Sequence, residues 1–209
     1  MKGTVFMNPD DEISRLVEIM PASGRMYVKL VDRPEQDQVI TANLPLPWQQ
    51  SRPIYVNFDL WEELNLAQRD LLLLRTVFWV NATRWFQLGW PQALLAAGTL
   101  GTVVELAQGD AMGTVAAAGL TAFSGYRIWK SSRSSQIELE ADERAINFAR
   151  QRGYTEQEAA RSLLSAIEAV AQIEGRFSLD FTELLRCQNL RAIAGLSNTP
   201  VPERLRDQR

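Results

Sequence analysis

Four carboxylates crowd residues 137–154, IELEADERAINFARQRGY: Glu138, Glu140, Asp142 and Glu143. The run reads as one helix. Ile137, Ala141, Ala145 and Phe148 recur at helical spacing, and Gly153 offers a left-handed stop. Glu138 and Asp142 stand four apart and so share a face. Two carboxylates on one face are the start of a metal site, but zinc needs further nitrogen or sulfur ligands. A solvated or salt-bridged face is the plainer reading. The chain has no histidine, which removes the general base that serine hydrolysis uses. Ser134 and Ser135 lie near Lys130 without the S-x-x-K spacing, so they read as a loop. Gly98-Thr99-Leu100-Gly101 lacks the Lys-Ser/Thr that a phosphate loop requires. Cys187 is the one cysteine. It excludes an internal disulfide and a multi-cysteine metal site, and reads as a small buried side chain.

The E-x-x-A-D run from Glu138 to Asp142, followed by Gly153-Tyr154 and the helical TEQEAARSLLSAIEAV, resembles the signature of the gluzincin membrane metallopeptidases, of the heat-shock membrane protease and CAAX prenyl protease type. In that family one helix carries HExxH and the first Glu of E-x-x-A-D, on a later helix, completes the zinc site. The resemblance implies that Glu138 holds that third position. With Asp70 taken as the acidic residue that precedes the motif, HExxH falls on Val77 to Asn81. Val77 and Asn81 then replace the histidines and Phe78 replaces the catalytic Glu. RMYVKLVD, ITANLPLP and PIYVNFDLWEELN look like the family's small sheet, and SNTPVPERL resembles its closing T-H-P-P and E-R-I. The resemblance therefore implies a scaffold without its centre, with no catalysis, no metal and no cofactor. It also implies that Val77, Asn81 and Glu138 still face one another, with Asn81, Arg75 or Arg84 supplying the donor that a buried Glu138 needs. The chain further resembles a cyanobacterial family of unknown function through the run QRDLLLLRTV, which implies a plasma or thylakoid membrane.

The elements that must position these residues are mostly helical. Asn8 and Pro9 open an amphipathic helix with Ile13, Leu16, Val17 and Met20 on its apolar stripe, and Pro21 ends it. Strands are expected at 26–31, 38–42 and 54–58. Asn65 caps a helix over 66–85 that is apolar over most of its circumference, and so central in the core. Thr155 and Glu158 form a capping box, and Gly175 ends that helix. A last helix runs over 179–194, and 196–209 is a tail. The expected core includes Leu73, Val77, Val80, Ile137, Ala141, Ala145, Leu163 and Ile167.

Residues 88–106 and 111–129 are two apolar stretches rich in Ala and Gly. Each approaches the roughly 20 residues that a bilayer needs. Arg84, Arg127, Lys130 and Arg133 flank the pair, while Glu105 and Asp110 mark its tip. A transmembrane hairpin with both ends cytoplasmic is the expectation. The alternative is a hairpin buried in a soluble fold, since Pro91, Gln92 and Glu105 interrupt the first stretch and mean hydropathy is −0.17.

With 209 residues, one domain covering 1–209 is expected, of mostly α class with a small N-terminal β-sheet (α+β), a metallopeptidase-like helical core and the hairpin inserted in it. A net charge of −3 gives no reason for nucleic-acid binding. The functional expectation is a non-catalytic, membrane-associated pseudo-metallopeptidase that holds or assembles another membrane protein. An enzyme with a rebuilt carboxylate site at Glu138 and Asp142, and a soluble structural subunit, are the alternatives.

Overall fold

The computed structural model describes residues 7–43, 51–82, 119, 122–123 and 135–196. The chain divides into two compact units, Met1–Thr83 with Ser135–Arg209, and Arg84–Ser134. The elements of the first unit run α1 (Pro9–Ile19), α2 (Ala22–Tyr27), β1 (Val28–Asp32), β2 (Ile40–Ala42), β3 (Arg52–Val56), α3 (Phe58–Trp61), α4 (Leu66–Ala82), α5 (Ser135–Ala149), α6 (Glu156–Ile173) and α7 (Phe181–Ile193). A 3-10 turn, Arg150–Arg152, follows α5.

The helix ends follow from side chains that satisfy free backbone groups. The Asn8 side chain accepts from the Asp10 amide. Asn65 and Gln68 cap reciprocally, each side chain accepting from the other's amide. Thr155 and Glu158 form the expected capping box, and Asp180 with Glu183 forms another that sequence reading missed. Gly153 takes φ 98° and closes the 3-10 turn.

α4 is the central element because it is buried nearly all round. Leu72, Leu73, Val77 and Val80 join one core with α1, the sheet and α3. Leu71 and Leu74 join a second with α5, α6 and α7. The helix is the wall between the two. Seven of the expected core residues are buried, and Ile137 is half-buried, its neighbour Leu139 packing on Leu185 instead.

The sheet has order β1-β3-β2, with β1 and β3 parallel and β2 antiparallel to β3. Residues 26 and 27 end helix α2 rather than begin a strand. Gly24 is why. A Cβ there would lie 2.8 Å from Cγ1 of Val77 and 3.4 Å from Cβ of Met20. The glycine lets α2 approach α4 closely.

The expected fold class needs correction. Among the described residues no helix is long and apolar enough to cross a membrane, so the transmembrane hairpin is dropped from it. The class is mostly helical with a three-stranded sheet. The apolar α4 has 17 residues and carries Arg69, Asp70 and Arg75; its apolarity serves two protein cores, not lipid. Residues 88–106 and 111–129, apart from Gly119, Ala122 and Phe123, lie outside the described residues, as does the tail from 197.

Gly24→Ala should lower stability by about 1–3 kcal/mol, because the new methyl overpacks the α2–α4 contact. Urea denaturation measures it. Adding Val77→Ala should make the two changes markedly non-additive, the second relieving the first. Simple additivity would show that the close approach is not what constrains Gly24.

Candidate functional site

α5 delivers Asp142 into the interior with its side chain fully buried. A lone buried carboxylate is costly unless paired and hydrogen-bonded. Arg186 of α7 supplies both: its Nε donates at 2.8 Å and its Nη2 at 2.9 Å, in the two-pronged geometry that suits guanidinium and carboxylate. Arg75 of α4 brings Nε to 3.4 Å from the same carboxylate and pairs through Nη2 with Glu138. Burial, and then the nearby Arg186 charge, pull Arg75 down to about 9, which leaves it charged at neutral pH. Burial works against the Arg186 charge too, but Asp142 outweighs it and holds that guanidinium above its ordinary value.

The network continues outward. Arg176, between α6 and α7, donates to Glu174 at 2.9 Å and to both oxygens of Glu183 at 2.8 and 2.9 Å. Glu174 also accepts from the Val39 amide at 2.9 Å, which ties the end of α6 to the approach to β2. Burial pushes the Glu183 carboxyl up, but the bonds from Arg176 and the Asp180 amide outweigh it and hold it below its ordinary 4.5. These groups line a cleft of about 360 Å3 together with Thr41, Leu72 and Trp79. Arg75, Arg176 and Arg186 each engage a carboxylate. The arrangement can hold helices in register and present a fixed polar surface. Among the described residues no group of three His, Cys, Asp or Glu could hold a metal ion.

About one and a half turns nearer the start of α4 a second constellation gathers. Asp70 accepts from Arg15 Nη1 at 2.5 Å and from the Tyr154 hydroxyl at 2.9 Å. Burial and Asp70 push the Tyr154 phenol up to about 12. Arg15 also forks onto Glu12, which accepts the Trp61 indole N–H. Burial raises the Glu12 carboxyl, yet the bonds from Arg15 and Trp61 prevail and hold it below 4.5.

The residues singled out from sequence occupy separate environments. Val77 lies in the first core against α2. Phe78 packs on the second, edge-on to Phe148 with ring centroids 5.8 Å apart. Asn81 accepts from Arg52 at 2.9 Å. Glu138 takes Arg75, one of the donors expected for it, and Asp142 takes Arg186. Glu138 and Asp142 thus share a network, while Val77, Phe78 and Asn81 are spent elsewhere. Sequence reading missed Arg186. The available signal was an arginine one turn before the apolar Leu190, on a helix face that must be buried. Cys187 is buried, and burial pushes its thiol up to about 11, which makes it unreactive.

Fold and cleft together define a mostly helical α+β protein whose polar interior is closed by arginine–carboxylate pairs. The chain belongs to the family described as "Protein of unknown function (DUF3318)", whose model matches residues 14–154. It is 32% identical over 164 residues to "Thylakoid membrane protein slr1949" of the cyanobacterium Synechocystis sp. (strain ATCC 27184 / PCC 6803 / Kazusa), covering 77% of each chain. No solved structure matches it. The resemblance to a cyanobacterial family of unknown function stands. That to gluzincin metallopeptidases finds no support in these comparisons; Val77 packs in the first core, and Glu138 is held by Arg75.

Asp142→Asn should destabilise by roughly 3–5 kcal/mol, since Arg186 is left without its charge partner. Glu138→Gln, at a partly exposed pair, should cost less. Asp142→Asn with Arg186→Met should recover much of the loss in a double-mutant cycle followed by thermal denaturation.

Acid should act through Glu12 and Glu183. Both have folded pKa values depressed below the ordinary 4.5. Their contribution is therefore complete above about 4.5 and is lost as pH falls through the lower folded values. Glu12→Gln and Glu183→Gln should each flatten stability against pH below 4.5. A slope unchanged in both would show that other carboxylates govern acid unfolding.

Proposed function

We propose that this protein is a non-catalytic, membrane-associated binding protein that holds or positions another membrane protein. The observation that carries this reading is the cleft itself. Its arginines are engaged by carboxylates of its lining and by buried Asp142 behind it, in bonds of 2.8–2.9 Å, which favours a fixed shape over acid–base chemistry. A general base needs a carboxylate free to take a proton, whereas Glu138 and Asp142 each hold a guanidinium. This counts against a rebuilt carboxylate site. The membrane part of the reading draws on the relative's description as a thylakoid membrane protein. It extends to this chain a plasma or thylakoid membrane location, with no claim about spanning it.

The test is native membranes, washed with carbonate, crosslinked and read by mass spectrometry. The expected outcome is retention in the membrane fraction and reproducible crosslinks from surfaces around the cleft to one membrane protein. Purified protein should contain no stoichiometric zinc and leave peptide substrates intact. Recovery only in the soluble fraction, or metal-dependent cleavage, would overturn the proposal.

A further inference from the structure

The exposed apolar side chains of the described unit are not spread evenly. α4 and α5 run antiparallel: Asp70, early in α4, meets Tyr154 just past the end of α5, while Arg75, further along α4, meets Glu138 near the start of α5. The chain therefore leaves α4 after Ala82 and re-enters at Ser135 at the same end of the helical body. α7 runs parallel to α5: Leu185 packs on Leu139, and Arg186 reaches Asp142. The start of α7 thus lies at that end too. Phe177, with its side chain fully exposed, Phe181 at 70% and Leu184 at 54% exposure stand there. β1 also begins at this end. Val28 pairs with Arg52, and Arg52 donates to the Val80 carbonyl at 2.9 Å, in the last turn of α4. Just before it are Met26 at 72% and Tyr27 at 46% exposure, between exposed Arg25 and Lys29.

We infer that this end of the body is a lipid-contacting surface, on which Met26, Tyr27, Phe177, Phe181 and Leu184 enter the interfacial layer of a membrane. The proposal rests on the membrane reading above and names the surface that would serve it. Two features select lipid as the occupant. Aromatic and long aliphatic side chains stand at the two places where the chain turns, as interfacial anchors do. Arg25 and Lys29 flank one group and suit anionic headgroups. Of the other exposed apolar residues of this unit, Leu66 and Leu196 stand at the opposite end, at the start of α4 and just past α7, and Val17 lies on α1.

An environment-sensitive fluorophore tests this on the full chain in a Cys187→Ala background. It is attached through Tyr27→Cys, Phe177→Cys or, as the opposite-end control, Leu66→Cys. Vesicles of phosphatidylcholine with phosphatidylglycerol are added, and flotation reports binding separately. The expected result is flotation with a blue shift at positions 27 and 177 and none at 66. Phe177→Ser with Phe181→Ser and Leu184→Ser should weaken partitioning roughly ten-fold or more, with an unchanged melting temperature because these side chains are exposed. Flotation without a shift at 27 and 177, or with an equal shift at 66, overturns the inference and leaves membrane association standing. Failure to float on these vesicles and to remain with native membranes overturns both.

Discussion

The pairing of Asp142 with Arg186, braced by Arg75, is the constraint on which the rest of the structure depends. Apolar packing alone leaves α5, α6 and α7 free to slide, because their contact faces are rich in small side chains: Ala141, Ala145, Ala149, Ala159, Ala160 and Ala166 are all buried. Such faces allow close approach and specify register weakly. A buried carboxylate is less tolerant. Its penalty is offset only where donors reach it in good geometry, so α7 must place Arg186 opposite Asp142 and α4 must place Arg75 beside both. α5 and α7 are thereby tied by hydrogen bonds of 2.8 and 2.9 Å, and α4 is tied to α5 by the ion pair of Arg75 with Glu138.

Much of this was open to sequence reasoning where the cause is local. Asn8, Asn65, Thr155 and Gly153 act within a few residues of themselves, and each does what its chemistry suggests. The continuous apolarity of α4 foretold its place between two cores. What escaped was decided by distant partners. The role of Gly24 is not local at all, since it depends on Val77, far along the chain. The shared face of Glu138 and Asp142 was legible from spacing, but the cation that would meet Asp142 was not, since Arg186 lies 44 positions away on another helix. The E-x-x-A-D pattern pointed to metal ligation because an acidic pair on an apolar helix asks for a positive partner. Guanidinium groups answer the same electrostatic demand.

Two neighbouring stretches of α4 thus meet charge in different ways. Near Arg75 the helix contributes the cation to carboxylates from α5. Near Asp70 it contributes the anion to a guanidinium from α1 and a phenol just past α5. The residues that match the family span 14–154. They begin one position before Arg15 and end on Tyr154, so the matched segment is closed on itself at one carboxylate. Glu174, Arg176, Glu183 and Arg186 lie beyond it, and the outer half of the cleft is built by α6 and α7.

That closure has a kinetic meaning. Asp70 joins residues 55 and 84 positions away in sequence. Contacts across such separations carry the loop-closure entropy of everything between them and form after local helices and apolar collapse have brought their ends near. A bond absent from the folding transition state leaves the folding rate untouched and acts instead on the rate of escape from the native state. If the Arg15 and Tyr154 bonds to Asp70 are absent from that transition state, Asp70 acts as a latch, and its loss speeds unfolding without slowing folding.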